Sequence, residues 1–182
     1  MSTKTKVLSP AQGFPPAIGF CLGGMDEVRE QVRDAVSEMS NEDIGRRAVP
    51  GAHSVGALVL HIGEAEWFWM QCVVSGHKLP DEDARAPYWD VLKEPERVAS
   101  NGYSAEFCLK EAARIREKTR TVLASFNDGD LERIFSYEWR GKTQGQSLRW
   151  ILHHLIDHEA QHKGQILMLK RLLGLKNEGP FN

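Results

Sequence analysis

The sequence predicts an all-α protein, a four-helix bundle with one long crossover connection. Four stretches carry apolar residues at helical spacing, no alternating stretch is long enough to build a sheet core, and a Pro-containing segment separates the second stretch from the third. With 182 residues and 41% hydrophobic content the chain reads as one domain over residues 1–182. Such a chain buries roughly 70% of its unfolded surface. It needs no structural metal to fold, so any metal it holds is expected to do chemistry.

The first helix is expected over Met25–Met39, where Val28, Val32, Ala35 and Met39 recur at helical spacing and Gly23-Gly24 break or start the run. Residues 41–51, with Pro50-Gly51, read as a connection, and Ser54 is placed to cap a second helix that runs to Val74 and stops before Gly76. The segment from Ser75 to Gly102, with Pro80, Pro87, Pro95 and the pair Tyr88-Trp89, is the crossover. Its two aromatic residues are expected to pack over the bundle, with pocket lining as the other option. Ser104 caps the third helix, to Phe126, and Asn127-Asp-Gly129 ends it. Between Leu131 and Gly145 a weak signal, Ile134-Phe-Ser-Tyr-Glu-Trp139, suggests a short hairpin. Ser147 opens the fourth helix, closed near Leu173 by Gly174.

Charge excludes several roles. Lys+Arg number 23 against 25 Asp+Glu, a formal net charge of -2, so no basic field exists for nucleic acid or anionic lipid. The opening residues are polar, and the run Val55–Leu60 stops at His61, far short of the ~20 apolar residues a bilayer crossing needs. Cys21, Cys72 and Cys108 are odd in number and widely spaced, as expected for reduced packing thiols in a cytoplasm.

The chemistry lies in the histidines. Of 7 His, four fall in Leu152-His-His-Leu-Ile-Asp-His-Glu-Ala-Gln-His162. At about 100° per residue from His158, His162 lies near 40°, within the stripe of Leu148, Ile151, Leu155, Ile166 and Leu169. His154 falls at the stripe's edge, a replacement ligand if the helix phase shifts, and His153 falls outside. On the second helix His61 shares its face with Ala57, Leu58, Ala65, Phe68, Trp69 and Cys72. One inward His is more often a hydrogen-bonded core residue than a ligand. A pair at i and i+4 on an apolar stripe points instead to one shared ion, and an imidazole from a facing helix makes an open three-ligand site. His61, His158 and His162 are therefore the candidate metal ligands. Imidazole ligation suits zinc, nickel, copper or iron, with zinc the default. The free position suits Lewis-acid work on a water, an anion or a thiol. His53 and His77 lie near helix ends and are expected to face solvent without a role.

His158-Glu-Ala-Gln-His162 also fits H-E-x-x-H, in which Glu159 would activate water in a metal-dependent hydrolase. The longer pattern fails, because no His follows His162 and the downstream acid would be Glu178 in a Gly-Pro tail. The larger pattern is Ser54-Val-Gly-Ala-Leu-Val-Leu-His61 with Glu64-Ala-Glu-Trp67, then His154, His158-Glu-Ala-Gln-His162 and Gly164-Gln165. It resembles the DinB-like superfamily, including its YfiT-type branch, over roughly residues 25–172. The resemblance implies a four-helix bundle, commonly a homodimer, with a divalent zinc or nickel held by three histidines, matched here to His61, His158 and His162. It also implies, for some members, transfer or isomerisation with a low-molecular-weight thiol acting on a small-molecule substrate. Glu159, adjacent to a ligand, then becomes a general base or, by preference, a solvated or supporting carboxylate. Arg149 and Arg140 are surface residues or anion contacts. A non-enzymatic metal-binding module of a stress response is the third reading.

Overall fold

Pro15 and Pro16 begin α1 (Pro16–Val36), nine residues before the sequence pattern places it. Proline at the first helical positions already has helical φ and lacks an N–H that would go unpaired. The next two donors are satisfied from far away: Ala17 and Ile18 N–H both donate to the Asp128 carboxylate, at 3.0 Å each to Oδ1. Gly23 and Gly24 neither break nor start α1; they lie inside it because neighbours come close. A Cβ on Gly23 would stand 2.4 Å from the Ser9 carbonyl oxygen, and one on Gly24 3.1 Å from Ile156 Cδ1.

The computed structural model describes residue 5, residues 7–77 and residues 86–176. Pro80 and Glu178 lie outside them. After α1 a short helix, α2 (Asn41–Gly45), occupies the expected connection, its first turn capped by Ser40. Ser54 caps α3 (Val55–Trp67), accepting from Ala57 N–H at 3.2 Å. The helix continues through Phe68–Val74 as a π-helix, in which Ser75 N–H reaches back five residues to the Met70 carbonyl. Crossover residues Val91–Lys93 form a 3₁₀ turn, followed by α4 (Arg97–Ser100). Ser104 caps α5 (Ala105–Leu123) at 3.0 Å from Phe107 N, and Asn127 with Asp130 forms a capping box just past its end. The hairpin β1 (Ile134–Trp139) and β2 (Lys142–Ser147) pairs Trp139 with Lys142 across Arg140-Gly141, both at positive φ, 51° and 71°. Those dihedral signs match a two-residue primed turn. Ser147 then opens α6 (Leu148–Leu172).

The four long helices α1, α3, α5 and α6 make the bundle. Two apolar clusters fill it, and their residue numbers give the helix directions. One end holds Ile18, Leu22 and Met25 of α1 with Met70, Leu123, Leu148 and Ile151. The other holds Val32 and Val36 of α1 with Val55, Val59, Cys108, Ile115 and Ile166. Thus α1 and α6 run one way and α3 and α5 the other. Consecutive parallel helices cannot be joined by a tight turn, which is why a long crossover links α3 to α5. Among the described residues no helix is long and apolar enough to cross a membrane.

Between the two clusters lies a charged layer. Arg116 (4% exposed) donates from Nε to Glu66 Oε1 at 2.7 Å, from Nη2 to Glu159 Oε2 at 3.2 Å and from Nη1 to Asp26 at 2.8 Å. Arg29 joins the same two glutamates from α1, and Arg120 pairs with Asp26. Three guanidiniums thus face three carboxylates, one or more from every bundle helix. Burial alone would raise the Glu66 carboxyl, but Arg116 and Arg29 outweigh it and hold it at about 2. Folded below its ordinary 4.5, Glu66 contributes stability that is full above that value and lost as pH falls toward 2. Urea midpoints measured across this window are expected to fall, with roughly 3 kcal/mol at stake from this group.

Candidate metal centre

Beside the charged layer, α3 and α6 bring His61, His158 and His162 together. One ligand nitrogen from each lies within 4.8 Å of the other two. Ring centroids stand 5.2 Å apart for His61–His158, 5.0 Å for His61–His162 and 4.4 Å for His158–His162. The α6 pair follows from the i, i+4 spacing, and His61 reaches it because α3 packs on α6. All three are half-buried, less enclosed than the wheel alone suggests.

Hydrogen bonds fix which nitrogen each ring presents. His61 Nδ1 lies 2.8 Å from Glu64 Oε2, and His162 Nδ1 lies 2.8 Å from Gln165 Oε1. Oxygen acceptors at Nδ1 place the proton there and leave Nε2 as a lone pair facing the cluster. His162 Nε2 sits 3.2 Å from His158 Nε2. Two ring nitrogens this close need either a shared proton or a shared cation, and tetrahedral ligands at about 2.0–2.1 Å from zinc stand at a similar separation. Burial, reinforced by His162, His61 and His154, pushes His158 down to about 3. His162 is lowered too, by burial first and by His61 and His53 among its neighbours. Both are neutral near pH 7, the form a metal requires. The residues present fit a divalent cation.

Glu64 does more than orient one ring. Its Oε1 accepts from the backbone N–H of Asp90 at 2.7 Å, where the crossover turns through a left-handed residue at φ 52°. One carboxylate therefore ties His61 to the crossover. Glu64→Gln keeps an acceptor for Asp90 but sets an amide N–H₂ against the Nδ1–H. Competition with a chromophoric chelator is expected to show metal affinity lowered about 10–100-fold.

A cavity of about 570 Å³ opens beside the cluster, with His61 and His158 in its wall. Six further rings line it: Phe68 and Trp69 from the π-helical segment, Trp89 from the crossover, Tyr137 and Trp139 from the hairpin, and His154 from α6. His154 is thus not brought into the ligand cluster. It stacks on Trp150 at 4.8 Å and 7° and meets Trp69 edge-on at 5.4 Å. A cleft of about 670 Å³ beside α2 holds no His or Cys, and its guanidiniums of Arg46 and Arg47 are paired with Asp43 and Glu96.

The remaining candidates are placed as follows. His153 and His77 are exposed as expected, whereas His53 is half-buried with Nδ1 shut from solvent. Glu159, 3% exposed, is neither a solvated carboxylate nor part of the cavity wall; its Oε1 accepts from Arg29 and its Oε2 from Arg29 and Arg116. Arg149 pairs with Glu132 on the surface, and Arg140 lies over the Trp139 ring at the hairpin tip. Tyr88 is fully buried against Trp67, so packing and pocket lining divide between it and Trp89. The sequence reading missed the charged layer although a signal exists. Arg29 lies four residues after Met25 and three before Val32, Arg116 four after Ala112, and Glu66 four after Ile62, all on core stripes.

Comparison with known proteins agrees with the fold. The uncharacterized protein YkkA of Bacillus subtilis is 25% identical over 172 residues, covering 91% of this chain and 93% of YkkA. A DinB-like protein from Bacillus cereus superposes with a TM-score of 0.64 at 20% identity, over 89% of this chain and 96% of that one. YfiT from Bacillus subtilis, described as "a probable metal-dependent hydrolase with an unusual four-helix bundle topology", gives 0.63 at 14% identity, over 96% and 95%. These two likenesses establish the bundle. The model of the mycothiol-S-transferase family matches residues 22–173, and with it the chain belongs to that family of DinB-like proteins.

Proposed function

We propose that this protein is a metal-dependent S-transferase: His61, His158 and His162 hold a divalent zinc or nickel ion, and a low-molecular-weight thiol such as mycothiol is joined to a small electrophilic substrate. The observation that carries the reading is the convergence of three imidazole nitrogens within 4.8 Å, two of the rings also walling the 570 Å³ cavity. When bound, the cation supplies Lewis acidity that favours the thiolate form of a thiol. Glu64 and Gln165 hold two imidazoles in the ligating tautomer. The largely aromatic wall offers water few hydrogen-bond partners, which disfavours it as a competitor for the electrophile. In the transfer the thiol proton passes to solvent, a sulfur lone pair forms the C–S bond, and the leaving group departs with the electron pair of the bond it breaks.

The thiol is external in this reading. Burial raises the Cys21 thiol and pushes Cys108 up to about 12, so both stay protonated and neither is a nucleophile. The reading also takes the protein to be a cytoplasmic homodimer, and sedimentation of the purified chain tests the dimer. Metal-loaded protein is to be assayed with an electrophile and a panel of small thiols, mycothiol included. Metal-dependent acceleration with at least one thiol is expected; no acceleration with any of them overturns the proposal.

Hydrolysis is the second reading, favoured by the H-E-x-x-H spacing alone. It requires Glu159 as water-activating base, and that carboxylate is engaged by two guanidiniums. Hydrolysis predicts loss of turnover with retained metal in Glu159→Gln. For a non-enzymatic module a fourth closing ligand is expected, and among the described residues no further His, Cys, Asp or Glu joins the cluster.

A further inference from the structure

We propose that the cavity beside the three histidines selects an uncharged aromatic electrophile; this rests on the S-transferase reading and names the substrate class of that same site. The first ground is ring chemistry. Trp69 meets Tyr137 at 5.2 Å and 78°, Phe68 meets Tyr137 at 6.0 Å and 83°, and Trp69 meets His154 at 5.4 Å and 71°. Rings already packed edge to face leave faces and edges turned to the cavity, and a planar aromatic guest completes the same pattern. The volume, about 570 Å³, suits one small guest with room for a thiol.

The second ground is charge. The wall carries three formally charged side chains, Glu64, Asp90 and Lys93. Glu64 is committed through both oxygens, to His61 and to the Asp90 N–H. Lys93 lies 2.9 Å from the Asp90 carboxylate. Each of the three already has a partner within the protein, and in the metal-free site their net charge is negative, which opposes an anionic ring there. An ammonium-bearing guest would have to share Glu64 with His61 and the Asp90 N–H.

The third ground is the mouth. Trp139, 54% exposed at the end of β1, lines the cavity beside the tight Arg140-Gly141 turn, with the Arg140 guanidinium 5.8 Å from its ring. A large exposed indole on a pocket rim, distant in sequence from the ligands, is suited to close over a bound ring. The guest's electrophilic carbon exchanges its leaving group, which departs with the bonding pair, for the thiol sulfur, whose proton passes to solvent.

The test measures binding without chemistry. Equilibrium dialysis of the chelator-treated protein, with no thiol present, is run with nitrobenzene, nitrobenzoate and nitrocyclohexane as matched neutral aromatic, anionic aromatic and neutral aliphatic probes. Nitrobenzene is expected to bind at least threefold tighter than either of the others. Trp139→Ala is expected to weaken nitrobenzene about three- to tenfold, and Trp139→Phe to restore most of it. Equal or tighter binding of nitrobenzoate or nitrocyclohexane, or an unchanged nitrobenzene affinity in Trp139→Ala, overturns the proposal. Because Trp139 is exposed and away from the core, these variants stay folded, which circular dichroism checks. Selective ring binding without any thiol transfer would sink the S-transferase reading and leave the pocket assignment standing.

Discussion

Arg116→Met is expected to destabilise the bundle by about 3–5 kcal/mol, seen as a lower urea midpoint at unchanged m. The substitution is close in volume, so little packing is lost. What changes is electrostatic. Glu66 and Glu159, 2% and 3% exposed, would keep a single guanidinium, that of Arg29, between them, and Asp26 would keep Arg120. A buried carboxylate without its full set of donors is far less tolerable than a buried pair replaced outright. The double variant Arg116→Met/Glu66→Gln is therefore expected to recover part of the loss. A strictly additive result would show that the two side chains do not interact, against their 2.7 Å bond.

His158→Ala is expected to reduce metal affinity by at least a hundredfold, since loss of an outer-sphere partner alone reaches 10–100-fold. The His158 ring stands 5.2 Å from that of His61 and 4.4 Å from that of His162, centroid to centroid. His154→Ala is the matched control on the same helix face. Its ring stacks on Trp150 rather than joining the other three, so metal content is expected to stay within about twofold of the parent on the same scale of effects. Elemental analysis after dialysis against buffered zinc or nickel reads both. Equal metal content in His158→Ala and the parent would remove the basis of the proposed site.

The helical scaffold and the histidine cluster were legible because each rests on short-range periodicity. Ser54, Ser104 and Ser147 cap the helices they precede, and His158 with His162 meets His61 as the apolar stripes require. What could not be read depends on contacts far apart in the chain. The start of α1 is set by Asp128, more than a hundred residues on, and Gly23 is explained only by the approach of Ser9. The cavity wall draws on the crossover and the hairpin, whose positions against α3 no local pattern encodes. The surroundings of Glu159 in the H-E-x-x-H stretch were hidden for the same reason: its guanidinium partners sit on α1 and α5.

Glu64 joins the imidazole of His61 to the amide of Asp90, so displacement of the crossover and rotation of that ring form one coordinate rather than two. Linkage then acts in both directions. A cation that fixes the ring also restrains the crossover at Asp90, and a shift of the crossover that turned the ring would weaken the cation's hold by the same factor. The set of one imidazole and the position of the crossover thus hang on a single carboxylate.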